Sequence, residues 1–355
     1  MTDASRESIR FERHAQSSTF HNPLKGGELD TQPLELRRDP LTGQQSVWNP
    51  RLEDKVAMFL GPSDAALIER LARESEPRCF ICGERWRQTT PRYAEPLLPG
   101  GRLERGEAVL FPNLFPVAPI HAVVRVGARH HVPLAEVSVQ AVTDALGLCL
   151  ALVRRLAVVE PVVRFLTING NFLGPAGASI VHPHFQLVGG DVGPSALELL
   201  LARSQAWRQE HGACYWSELG DRERHAAERF VGETGPACWL TSFSPQGANE
   251  VLGILPDKSH WLELDERDIA GLGDGLTRVL RGYAAMGLST FNFTIFSAPL
   301  GARDESFRCH LRVISRQNVH ENYRTDDYFL QKLLRNELVL TLPETLAQRL
   351  RPAFA

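Results

Sequence analysis

The chain has 355 residues, 43% hydrophobic and 23% charged, with a formal net charge of -3. Those values suit a soluble protein with a real core, built as two ordinary domains or one large pseudo-symmetric unit. No long run of Lys or Arg is present, which argues against a nucleic-acid partner held through its backbone. Small anionic substrates need only a few local cations.

The N-terminus, Met1-Thr2-Asp3-Ala4-Ser5-Arg6-Glu7, lacks the apolar core of a signal peptide. The longest apolar stretch, around Ala141 to Val159, is interrupted by Asp144, Arg154 and Arg155. It falls short of the roughly 20 apolar residues of a membrane span. No membrane association and a cytoplasmic address are therefore expected. Of the cysteines, only Cys79 and Cys82 are closely spaced; Cys149, Cys214, Cys238 and Cys309 are scattered. In a protein without export signals this pattern favours one metal clip and buried thiols over disulfides.

In chain order, residues 1–22 are polar and expected to be disordered or extended. Leu34 to Trp48 reads as a hairpin, with Asp39-Pro40-Leu41-Thr42-Gly43 placing Pro and Gly where a tight reversal wants them. A charged helix over Ala65 to Arg73 leads to Cys79-Phe80-Ile81-Cys82-Gly83, the form of a metal-binding knuckle.

From residue 108 the chain repeats itself. The first pass runs AVLFPNLFP, HAVVRVGARHH, a helix near 134 to 157, VRFLTING, a Gly-rich loop and HPHFQLVGG. The second runs CWLTSFSP, NEVLGILPDKSHW, a helix near 266 to 284, FNFTIFSAPLG and FRCHLRVIS. A repeat of over 100 residues predicts an α+β fold of a duplicated unit, with antiparallel sheets and flanking helices. The expected division is a catalytic half over 23–194, including the knuckle, and a second half over 195–355. The Arg- and Glu-rich helical block from Ser195 to Arg229 is a connector or insertion.

The copies differ where the chemistry lies. His182-Pro183-His184-Phe185-Gln186 in the first corresponds to Arg308-Cys309-His310-Leu311-Arg312 in the second. On a strand, alternate residues share a face, so His182, His184 and Gln186 point one way. The two strands are expected to face one another across a pocket, with the first copy active and the second supporting.

A neutral imidazole is a competent nucleophile toward phosphorus if its other nitrogen is held as a donor, for which a backbone carbonyl serves. Pro183 stiffens the strand at that carbonyl. Gln186 can donate an amide N–H to a phosphoryl oxygen without transferring a proton. The small-residue loop from Asn169 to Ser179 offers backbone N–H groups and the Ser179 hydroxyl as a phosphate cradle. For a metal at Cys79 and Cys82, the remaining candidate ligands are His130 or His131 and one histidine of the His-Pro-His run.

Together, Cys-x-x-Cys, a histidine before Leu-x-Glu-x-Ser, and Gly-x-Ser-x-x-His-Pro-His-x-Gln resemble galactose-1-phosphate uridylyltransferase, a transferase branch of the histidine-triad superfamily. The resemblance runs from the Asp39 turn to about Arg312. It implies a duplicated histidine-triad-like fold and a homodimer. It makes His184 the residue that carries the nucleotidyl group and Gln186 its phosphate partner. It makes Cys79, Cys82, His130 and His182 zinc ligands, and puts Asn113, Asn171 and Ser179 on the nucleotide. Arg51 is one place removed from a phosphate-binding arginine of the family. A second metal site of some members corresponds here to Leu200, Phe296, His310 and Arg312, a set that no longer matches.

The implied activity is transfer of a nucleoside monophosphate, UMP first, from a nucleotide sugar to a sugar phosphate. A phosphorylase using inorganic phosphate on ADP-glucose or dinucleoside polyphosphates is the near alternative. A zinc-stabilised nucleotide-binding protein without turnover is the alternative of another class.

Overall fold

The computed structural model describes residues 9–323 and 325–355. Strands β1 (Glu12–Asn22), β2 (Glu28–Arg38) and β3 (Gln45–Trp48) open the chain as an antiparallel meander. The N-terminal stretch is thus extended from Glu12 onward, with every residue of β1 paired to β2. Residues 1–8 lie outside the described residues. The turn between β2 and β3 forms as its sequence predicts. Asp39 Oδ1 accepts from the Thr42 N–H at 2.7 Å, and Gly43 takes φ 75°, where a Cβ would be strained.

A ten-stranded sheet forms the body of the molecule. Its first half contains β4 (Leu103–Arg105), β5 (Ala108–Pro112), β6 (Ile120–Arg125), β7 (Phe165–Phe172) and β8 (His184–Gly190). Its second half contains β9 (Phe230–Thr234), β10 (Ala237–Thr241), β11 (Val251–Ile254), β12 (Phe291–Phe296) and β13 (His310–Ser315). The order β4-β5-β6-β8-β7-β12-β13-β11-β10-β9 reads the same topology outward from the β7–β12 seam in both directions. All neighbours in this sheet are antiparallel. The last strand, β14 (Asn336–Val339), returns to β3 and pairs with it in parallel.

The repeat is therefore real, but its two histidine strands do not face one another. β8 and β13 lie in one sheet with β7 and β12 between them. Pairing of the seam strands, Asn292 opposite Asn171 and Thr294 opposite Asn169, closes the sheet where a facing pocket was expected.

One face of the sheet carries the long helices Val139–Val159 and Glu266–Ala285, packed against each other. Both are entered through a 3-10 turn, Leu134–Glu136 and Trp261–Glu263. The corresponding residues of the two turns are Leu134-Ala135-Glu136 and Trp261-Leu262-Glu263. Ser138 caps the first helix, and Asp265 with Asp268 forms a capping box on the second. Against these helices pack Phe185, Leu187, Ile168, Phe293, Ile295 and Leu311, which share one face of the pleat.

On the opposite face, other elements pack against the two ends. The Cys79–Cys82 knuckle packs with Trp86 on Val109, Phe111 and Val123 at one end. At the other, the helices Ser195–His211 and Tyr215–Ala226 cover Leu240, Leu252 and Ile254. Between them the pleat carries His184, Gln186, Asn169, Asn171, Asn292 and Thr294, a polar floor on an otherwise apolar sheet.

Candidate active site and metal centre

The metal-ligating atoms come from three separate elements. Cys79 and Cys82 close the knuckle, His130 lies in the loop after β6, and His182 lies just before β8. One ligand atom from each lies within 4.8 Å of all the others, and all four residues are buried. Cys82 Sγ is 3.2 Å from both His130 Nδ1 and His182 Nδ1, and Cys79 Sγ is 3.7 Å from His182 Nδ1. Such edges suit a tetrahedral ion with roughly 2.0–2.3 Å bonds to N and S.

The outer hydrogen bonds show that both imidazoles offer the correct nitrogen. His182 Nε2 lies 2.8 Å from the Gly127 carbonyl, so Nε2 carries the proton and Nδ1 the lone pair. Ser75 Oγ donates to the Leu71 carbonyl at 2.7 Å and so accepts from His130 Nε2 at 2.8 Å. A carbonyl and a hydroxyl thus orient the two rings from behind, the usual second layer of a metal site. Burial pushes His182 down to about 4 and also lowers His130, keeping both neutral at physiological pH. The four side chains can hold a metal ion. His131, the other candidate, turns away and stacks on Phe172 with ring centroids 6.2 Å apart.

Arg125, in register with His184 across β6 and β8, locks the knuckle down. Its guanidinium donates to the carbonyls of Ile81 and Gly83 at 3.1 Å each, and of Glu107 at 2.9 Å. A lone arginine in a strand gave no sequence signal for this role.

His184 stands two residues beyond His182 on the polar face, 7% exposed. Its Nδ1 donates to the His182 carbonyl at 2.9 Å. This leaves the lone pair on Nε2, which has no hydrogen-bond partner among the described residues. Burial lowers the pKa of the ring, so that the neutral form dominates at pH 7. His182 thereby offers its ring to the metal site and its carbonyl to the neighbouring imidazole.

Two amides flank this ring. Gln186 Oε1 lies 2.8 Å from His121 Nε2, and Asn171 Oδ1 accepts from Asn292 Nδ2 at 2.6 Å. With their oxygens occupied, both side chains keep NH2 groups for an incoming acceptor. Asn292 is itself held by Arg316, whose guanidinium donates to Asn292 Oδ1 at 2.6 Å and pairs with Asp326. Neither Asn292 nor Arg316 stands out in the sequence, because both come from the second copy and meet Asn171 only through the seam.

Ser179 lies exposed on the loop between β7 and β8, which includes the αL residue Gly177 at φ 86°. Asn113 follows β5 and turns Oδ1 onto the Phe115 N–H at 2.9 Å, with Nδ2 3.2 Å from His121 Nε2. Arg51 is not gathered here. It is exposed on the 3-10 helix Pro50–Lys55 after β3, and no hydrogen bond or ion pair joins it to the other candidates.

In the second copy His310 is sealed. It is fully buried under Trp216, ring centroids 3.9 Å apart, with Phe296 and Phe307 at 5.3 and 5.5 Å. Arg312 pairs with Glu250 at 3.2 Å, and Leu200 belongs to the apolar cluster around Trp216.

The duplicated sheet is the fold of solved galactose-1-phosphate uridylyltransferase-like proteins, the family that the sequence resembles. Among solved structures, an ADP-glucose phosphorylase from Arabidopsis thaliana with bound ADP-glucose superposes with a TM-score of 0.66 at 19% identity. That likeness covers 90% of this chain and 98% of that one. A GalT-like protein from Arabidopsis thaliana gives 0.67 at 18% identity over 89% and 98% of the two chains. A uridylyltransferase gives 0.64 at 20% identity over 90% and 98%. At these identities the likeness is one of fold. In sequence, an uncharacterized protein of Archaeoglobus fulgidus is 29% identical over 333 residues, covering 94% of this chain and 96% of that one. No family model matches the chain. Among the described residues, no helix is long and apolar enough to cross a membrane.

Proposed function

We propose that this protein is a nucleotidyltransferase that works through a covalent nucleotidyl group on His184. The carrying observation is the His184 ring: Nδ1 is tied to the His182 carbonyl at 2.9 Å, while Nε2 remains available. In the first half-reaction the Nε2 lone pair attacks the α-phosphorus of a nucleotide sugar. The bond from that phosphorus to the bridging oxygen breaks, and the sugar 1-phosphate leaves with the electron pair. A phosphoramidate remains on the ring, which now bears a positive charge shared with the Nδ1–H and its carbonyl acceptor. In the second half-reaction an oxygen of an acceptor phosphate attacks the same phosphorus and returns the ring to its neutral state.

Gln186 and Asn171 serve this step as fixed donors to the non-bridging oxygens, where negative charge concentrates. Ser179 and the loop N–H groups line the remaining phosphate. Asn113, beside His121, belongs to the nucleoside side of the site. Arg51 reaches substrate in this reading only if the chain is dimeric and a second copy brings it in.

Zinc is the ion we assign to Cys79, Cys82, His130 and His182. With four protein ligands it leaves no position for water, and its role is to fix the His182 backbone on which His184 depends.

The acceptor is a sugar phosphate, with UMP as the group carried. A second reading, with inorganic phosphate as acceptor and ADP-glucose as donor, is supported by the likeness to the ADP-glucose phosphorylase. Both share the first half-reaction. Labelled UDP-glucose and ADP-glucose, each chased with galactose 1-phosphate or inorganic phosphate, separates them. The pair that first loads and then clears the protein names donor and acceptor. Nucleotide binding that survives His184→Ala without any loading of the wild type would leave only a non-catalytic binding protein.

A further inference from the structure

His121 makes a contact whose direction can be worked out. It lies on β6, 5% exposed, and its two ring nitrogens have different partners. The Val117 backbone N–H donates to Nδ1 at 3.2 Å. A backbone amide cannot accept, so Nδ1 must carry the lone pair and Nε2 the proton. At Nε2 the candidates are Gln186 Oε1 at 2.8 Å and Asn113 Nδ2 at 3.2 Å. Asn113 Oδ1 is held by the Phe115 N–H, so its Nδ2 is a donor and cannot take a proton. The hydrogen bond therefore runs from His121 Nε2–H to Gln186 Oε1.

We infer that His121 is a positioning residue that fixes the orientation of the Gln186 amide, so that its NH2, never its oxygen, meets the phosphoryl group beside His184. The reversed amide would set an oxygen lone pair against a phosphate oxygen and forfeit a donor where the charge develops. A free glutamine amide chooses between two nearly isosteric orientations. His121 makes that choice in advance, and the chain of bonds from Val117 fixes the choice made by His121. The same links tie Gln186 to the loop from Asn113 to His121, whose ends are joined by the Asn113 N–H to His121 carbonyl bond at 2.7 Å. Nucleoside and phosphate ends of the site are thus registered on one imidazole.

This inference rests on the nucleotidyl-histidine reading above, and its test keeps the two apart. The rate at which radiolabel from UDP-glucose or ADP-glucose appears on the protein is followed by rapid quench. We compare wild type, His121→Phe, His121→Gln, Gln186→Ala and the His121→Phe/Gln186→Ala pair. His121→Phe is expected to slow labelling by about tenfold, less than the roughly hundredfold cost of deleting a donor outright. His121→Gln, which can accept from Val117 and donate to Gln186, should recover most of the rate. In the Gln186→Ala background His121→Phe should cost nothing further, an outcome that a merely structural role would not give. A wild-type rate in His121→Phe, or a full additional loss in the double variant, overturns the inference alone. An unlabelled wild type overturns the enzyme reading and this inference with it. If His121→Phe does not fold, 15N spectra of the wild-type histidines decide: an Nε2–H tautomer at His121 upholds the inference, and an Nδ1–H tautomer overturns it.

Discussion

His184 and His310 make the same hydrogen bond. Each ring donates Nδ1–H to the carbonyl two residues upstream, His182 in one case and Arg308 in the other, at 2.9 Å in both. The two occupy corresponding strands of the repeat, yet their Nε2 atoms meet different surroundings. That of His184 faces a polar floor, while that of His310 is buried beneath Trp216 with no hydrogen-bond partner among the described residues. The backbone hydrogen bond that leaves the lone pair on Nε2 is present twice, and polar surroundings for that nitrogen once.

His310→Phe is expected to leave nucleotidyl transfer unchanged. An unsatisfied buried nitrogen costs stability, and an apolar ring of similar shape among Trp216, Phe296 and Phe307 removes that cost. Chemical denaturation should show stability within about 1 kcal/mol of wild type or above it. A loss of labelling would mean that the second copy takes part in the chemistry.

Gln186→Ala should reduce the rate of the first half-reaction by about a hundredfold, the cost of losing one fixed donor to developing charge. Binding of the nucleotide should change little, because the donor matters most when the phosphorus is under attack. Single-turnover kinetics with a titration of nucleotide sugar separates the two effects. A weaker Kd with an unchanged limiting rate would place Gln186 in ground-state binding.

Metal uptake should release protons. Burial, with the neighbouring Cys79, pushes the Cys82 thiol up to about 12, so in the metal-free protein that thiol holds its proton at neutral pH. Ligation requires thiolates, and adding zinc to the metal-free protein should liberate the proton that Cys82 holds. A pH indicator in weak buffer measures this. Cys79→Ser should lose metal content and lower the melting temperature well before it changes substrate preference.

Glu337 gives a pH dependence far from the histidines. Burial raises its carboxyl to about 7, against 4.5 for the ordinary group. The folded state therefore holds a proton that the unfolded chain releases between those values. Stability contributed here is present at low pH and is lost as pH rises through about 7. Glu337→Gln, which keeps an acceptor for Gln331 and the Leu338 N–H, should raise the melting temperature at pH 8. Near pH 4.5 the difference should vanish. A uniform shift at both pH values would assign the effect to packing.

Much of this was legible in the residues. The period-2 pattern of HPHFQLV set His184 and Gln186 on one face, and the strand β8 keeps them there. The Asp39 turn and the helices follow from local signals, because each depends on neighbours in sequence, and the repeat follows from comparing the chain with itself. The choice between His130 and His131 depends on which way one loop turns, and both alternatives fit the spacing. The relation between the copies is hidden for a similar reason. Alternation along a strand gives its faces but not its neighbours, so the seam of β7 with β12 was invisible. With the seam went Asn292 and Arg316, which reach Asn171 only across it. His121 carries no signal in the sequence, since its importance lies in a tautomer that only its two partners reveal. Arg51 rests on the resemblance alone, one place off its pattern, and it lies on the 3-10 helix Pro50–Lys55 after β3.

The most direct test is the intact mass of the protein after brief mixing with UDP-glucose or ADP-glucose, followed by peptide mapping under conditions that preserve phosphoramidates. One nucleoside monophosphate is expected on His184 of the wild type, absent from His184→Ala and cleared by the true acceptor. A fully folded, metal-loaded protein that binds nucleotide and never gains that mass, or gains it on another side chain, would contradict the assignment.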